Sequence, residues 1–121
     1  MTIKSTALAE IVADGFGIGT ADLRGPSTAS HCVVPRHFAF ALHRVLLGHS
    51  LTRIGQFYNR DHTTVLYGIN RHGDRLAADA DFRVTCDAVR ESIMAEITPP
   101  MFIHGGVMFK SVRAHRQGAQ A

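Results

Sequence analysis

Residues 50–72 read Ser-Leu-Thr-Arg-Ile-Gly-Gln-Phe-Tyr-Asn-Arg-Asp-His-Thr-Thr-Val-Leu-Tyr-Gly-Ile-Asn-Arg-His, and they constrain the fold more than any other stretch. The pattern predicts two helices joined by a tight turn. Ser50 can cap the first, and Leu51, Ile54 and Phe57 share one face at helical spacing. Asn59 suits the turn, since asparagine tolerates the left-handed backbone that ends a helix. Asp61 suits the cap of the second helix, where its carboxylate can accept the free amide of Thr63 or Thr64. Val65, Ile69, His72 and Leu76 then line an inner face, and Thr63, Tyr67, Arg71 and Arg75 the opposite one. This is the plan of a helix-turn-helix with polar and cationic side chains on its free face.

The flanking segments also read as helices. A first helix starts at Ser5 or Thr6, carries Leu8, Ile11, Val12 and Phe16 as its apolar stripe, and stops near Gly15 and Gly17. Thr20 to Leu23 forms a short helical turn broken by Gly25-Pro26. Residues 24–34 are expected to be a polar, exposed loop. Pro35 suits the first position of a helix over 35–48, with Phe38, Ala41, Leu42, Val45 and Leu46 in the core. After a break near Ala78-Asp79, residues 80–97 form a last helix that packs through Phe82, Val89, Ile93 and Ile97, and Pro99-Pro100 ends it. The expectation is an all-α domain of five or six helices over residues 1–98, with a central helix-turn-helix and a tail at 99–121. In the tail, apolar runs flank Gly105-Gly106, which is a hairpin signal. A tail without fixed structure is the other reading.

Charge is unevenly placed. Residues 36–75 hold Arg36, Arg44, Arg53, Arg60, Arg71 and Arg75 against Asp61 and Asp74. Residues 77–98 hold five acids against Arg83 and Arg90. The basic charge therefore sits with the helix-turn-helix, as a phosphate-facing surface requires. Cys32 and Cys86 are too few and too far apart for a disulfide framework, which suits reduced thiols. The N-terminus lacks a long apolar run and no stretch is apolar for long enough to span a bilayer, so a cytoplasmic, nucleoid-associated protein is expected. The eight histidines form no ligand pair at metal-binding spacing, and no catalytic constellation stands out. No enzyme activity, metal or cofactor is expected.

The run Arg60-Asp61-His62-Thr63-Thr64-Val65 resembles the signature of the DNA-binding domain at the C-terminus of DnaA, the bacterial replication initiator. The order of landmarks resembles it too: Phe16-Gly17-Ile18, Asp22-Leu23, Pro35-Arg36, Ala39 to Leu42, His49-Ser50-Leu51 and Ile54-Gly55. The likeness covers roughly residues 5–98. It implies double-stranded DNA as partner, with the second helix of the motif in the major groove. On that implication Arg60, Asp61, His62, Thr63 and Thr64 make the sequence-specific contacts. Arg36, Arg44 and Arg71 touch phosphates, and so do the free amides of Ser50, Leu51 and Thr52 at a helix start.

Three departures qualify the likeness. The family's loop is rich in Arg and Lys, with one arginine in the adjacent minor groove; here that position falls near Thr28, and only Arg24 and His31 are basic. Threonine cannot replace the attraction of a narrow minor groove for arginine, so weaker binding and a flatter salt dependence are expected. A single Asn59 stands for the usual Gly-Gly, and His72 stands for an aliphatic core residue. No Gly-rich phosphate loop followed by Lys and Ser/Thr occurs, so a stand-alone DNA-binding protein without the ATPase part is expected. The alternative is a protein-interaction module that keeps the fold, has lost strong DNA binding, and uses the tail to form a homodimer or hold a replication-protein partner.

Overall fold

The computed structural model describes residues 2–97, and the tail at 99–121, with its hairpin expectation, lies outside them. Six helices follow one another, and no strand occurs among the described residues: α1 (Ser5–Gly15), α2 (Thr20–Arg24), α3 (Ser30–Leu46), α4 (Leu51–Tyr58), α5 (His62–Ala78) and α6 (Ala80–Ile97). The all-α fold and the central helix-turn-helix, α4 and α5, are as the sequence predicts.

The long helices α3 and α5 pack on each other, α4 closes over α5, and α1 packs on α3 and α6. Apolar positions at helical spacing meet in one core. Leu8 and Val12 come from α1, Leu23 from α2, Phe38, Phe40 and Leu42 from α3, Ile54 and Tyr58 from α4, Val65 from α5, and Cys86, Val89 and Ile93 from α6. Burial of each large side chain is worth roughly 1.5–3 kcal/mol. His72 belongs to this interior: its ring stacks on Phe38 at 4.9 Å and meets Phe82 edge-on at 5.7 Å. It is a structural histidine, as its inner-face position suggests.

Two expectations about α3 need correction. The helix begins at Ser30, and Pro35 sits inside it. The exposed loop is therefore 25–29, and 30–34 are helical. Pro35 removes only one hydrogen bond, close to the helix start, while Cys32 is buried one turn earlier and Ala29 O accepts the amides of Cys32 and Val33 at 2.9 Å. The last turn of α3 packs on one side only, so Leu46 lies against the core while Val45 is 77% exposed.

Candidate nucleic-acid interface

The turn between α4 and α5 is built by local chemistry. Ser50 caps α4 by accepting the Arg53 amide at 3.1 Å. Asn59 takes the left-handed conformation, φ 56° and ψ 50°, and ends α4. Arg60 N donates to Gly55 O at 2.7 Å, and the chain passes so close that a Cβ at Gly55 would lie 2.3 Å from Arg60 O. Only glycine fits there. Asp61 caps α5: it accepts the Thr63 amide at 3.0 Å and also the Thr63 hydroxyl. The hydroxyl hydrogen bond, then the amide, holds the Asp61 carboxyl below its ordinary range.

This places the first turn of α5 in the open. Asp61, His62, Thr63 and Thr64 are all exposed, with His62 Nδ1 3.6 Å from Asp61 Oδ1. Thr52 and Ser50 are exposed and Leu51 half-buried at the start of α4, and exposed Arg44 donates to His49 O beside them at 3.0 Å. Thr28 is exposed on the 25–29 loop. Arg71 is exposed on α5 and pairs with Asp74 at 3.7 Å.

Other expected contacts fall differently. Arg36 is not a surface cation: it is 4% exposed, and its guanidinium donates to Leu23 O (2.7 Å), Ser27 O (2.9 Å), Asp22 O (3.0 Å) and Gly25 O (3.1 Å). This corrects its expected place at a phosphate, because its hydrogen-bonding edges are committed to backbone oxygens. Arg60 is half-buried and donates to Tyr58 O and Gly25 O, both at 2.6 Å. Arg24 lies over the Phe57 ring at 3.7 Å and donates to Phe57 O.

A groove runs between the loop, α3 and the free face of α5. Its lining includes Arg24, Thr28, Arg36, Arg60, Thr64, Tyr67, Arg71 and Arg75, and no Asp or Glu. Tyr67, 60% exposed and edge-on to His37 at 6.1 Å, was not among the expected contacts, although its helical position beside Arg71 was readable. Arg75 Nη1 donates to His37 Nδ1 at 2.9 Å. Burial first, then Arg75 and Arg36, push the His37 pKa down to about 4. His37 is therefore neutral at pH 7, and the local charge comes from the arginines. Across the molecule, Glu10, Asp14 and Glu96 line a groove between α1 and α6.

A capped second helix with exposed hydrogen-bonding side chains, beside a groove of arginines, defines a DNA-binding helix-turn-helix domain. The chain belongs to the bacterial DnaA protein helix-turn-helix family, whose model matches residues 6–71. It is similar to the chromosomal replication initiator protein DnaA of Deinococcus radiodurans, 33% identical over 94 residues, which is 78% of this chain and 20% of that protein. The DnaA of Chloroflexus aggregans is 37% identical over 92 residues, 75% of this chain and 19% of that protein. The DnaA of Lactococcus lactis subsp. cremoris is 37% identical over 91 residues, 74% of this chain and 20% of that protein. The chain spans about a fifth of the length of these relatives.

Proposed function

We propose that this chain binds duplex DNA sequence-specifically, with the first turn of α5 in the major groove, and regulates replication or transcription at initiator-type sites on the nucleoid. The observation that carries the reading is the exposed set His62, Thr63 and Thr64 on a helix start fixed by Asp61. Threonine offers a hydroxyl and a methyl, and histidine a ring nitrogen, to base edges. Arg44, Arg71 and the amides at Ser50 to Thr52 would hold phosphates and set the register. Selection of bound sequences from a random duplex pool tests this. Enrichment of one motif supports it, and an unenriched pool at every salt concentration refutes it.

A second reading has its own observation. Arg24, Arg36 and Arg60 spend hydrogen-bond donors on carbonyls, and Thr28 adds no charge to the loop, so fewer cations are free for phosphates. On this reading the fold serves as an interaction module, with residues 99–121 joining a second copy or a replication protein. Deleting 99–121 separates the two. Loss of a dimer or partner with DNA binding intact would give the tail an assembly role, and failure of the full chain to shift any duplex at low salt favours the module.

A further inference from the structure

Gly25 O accepts hydrogen bonds from two arginines on different elements: Arg36 of α3 at 3.1 Å and Arg60 of the α4–α5 turn at 2.6 Å. The second arm of Arg60 holds Tyr58 O, one residue before the left-handed Asn59. Arg36 gathers Asp22 O, Leu23 O and Ser27 O as well, so one guanidinium ties the end of α2 and the first half of the α2–α3 connection to the helix behind it. A Cβ at Gly25 would lie 2.5 Å from Ala21 O, so the chain is already at closest approach there. The loop's own tie is slight, the Ala29 amide donating to Ser27 Oγ at 3.2 Å.

We propose that Arg36, acting with Arg60, is a positioning residue for DNA recognition: it locks the 25–29 loop to the turn before α5, so that Thr28 and α5 meet DNA as one rigid surface. The inference rests on the DNA-binding reading above. A buried guanidinium is an inefficient way to gain stability alone, since its desolvation offsets much of what its contacts return. What it supplies is a planar fork that can span several carbonyls, which a lysine ammonium cannot do. Thr28 and Thr64 line the same groove, so loop height sets what position 28 can reach beside the bases that α5 reads.

The test introduces a reporter at position 28. Thr28→Arg is made in the wild-type full chain, in Arg36→Lys and in Arg36→Gln, and each is titrated on duplexes with A·T or G·C pairs beside the preferred site. A held arginine senses minor-groove width, so Thr28→Arg in the wild type should create an A·T preference of about fivefold or more. With Arg36→Lys or Arg36→Gln the preference should fall below about twofold, while the salt slope still rises by about one, because the added charge remains. Loss of folding alone would not move one of these readouts without the other. An A·T preference undiminished in the Arg36 variants, or absent in the wild-type background, overturns the proposal. If neither Arg36 variant folds, NMR order parameters of the unaltered chain decide. Values for residues 25–29 near the roughly 0.85 of rigid backbone support the lock, and values under about 0.6 overturn it. A wild-type chain that binds no duplex would refute the DNA reading instead, and the order parameters would still judge the lock.

Discussion

The Thr63 hydroxyl donates its hydrogen to the Asp61 carboxylate, so toward DNA it can offer only an acceptor and the adjacent methyl. That pairing suits an exocyclic amino group or a thymine methyl, and Asp61 fixes which way the hydroxyl points. His62 is tethered more loosely, 3.6 Å from the same carboxylate, and keeps a ring nitrogen free. Both side chains face outward, so replacing either by alanine leaves the core intact. His62→Ala and Thr63→Ala should each cost about 1–3 kcal/mol of affinity on the preferred duplex and little on random DNA. Titration of both duplexes by fluorescence anisotropy checks this. Equal losses on the two would mean that these side chains do not read bases.

The pairing of α3 with α5 determines where the reading helix stands, and Gly68 allows the close approach. A Cβ there would sit 2.7 Å from His37 Cδ2 and 2.7 Å from Phe40 Cδ2, both ring atoms packed between helices. Gly68→Ala should destabilise the fold by about 1–3 kcal/mol through overpacking. At Gly73, one and a half turns later, nothing lies within 4 Å, so Gly73→Ala should stabilise by about 0.5–1 kcal/mol. Urea denaturation of the pair checks the contrast, and a stabilising Gly68→Ala would mean that α3 and α5 are further apart than described. The same elements show what the sequence could convey. Ser50, Asn59 and Asp61 are legible because each acts within four residues of itself, Ser50 and Asp61 by accepting an amide and Asn59 by its left-handed backbone and its N–H to Gly55 O. The start of α3 is not legible, because Pro35 fits a first helical position, whereas the helix, with Cys32 buried, begins more than a turn earlier. The place of Arg36 is hidden for a different reason. Its partners lie 9 to 14 residues away, and no local pattern separates a guanidinium aimed at carbonyls from one aimed at solvent. Tyr67 and Arg24 join the groove only when α2, α3 and α5 come together.

The whole molecule keeps three histidine rings neutral inside a shell of arginines, and this sets how it responds to acid. Burial is the first cause for each, pushing His37, His43 and His72 down to about 4. Nearby groups add to it: Arg75, Arg36 and Arg71 at His37, the His49 ring and then Arg24 at His43, Arg90 and Arg75 at His72. His43 Nε2 has a partner in Tyr58 Oη at 2.9 Å, whereas His72 Nδ1 has no hydrogen-bond partner. In the unfolded chain each ring titrates near the ordinary histidine value of about 6.5. Between that value and about 4 the unfolded state takes up protons that the folded state refuses, so stability falls as pH falls and is flat above the window. The Asp61 carboxyl, held below its ordinary range, loses its contribution only at lower pH, as it too becomes protonated. Allowing for solvent near partly sheltered rings, each histidine should contribute roughly 1–3 kcal/mol to the loss, against a total of about 5–15 kcal/mol for an ordinary domain. Urea midpoints should therefore drop steeply from pH 6.5 to 4.5 and hardly change from 7 to 8. His72→Leu removes both a titrating ring and an unpartnered buried nitrogen, so it should hold or raise stability at pH 7 and shallow the acid slope by the share of one ring. If that variant keeps the full slope, proton uptake by buried histidines is not what unfolds this protein in acid.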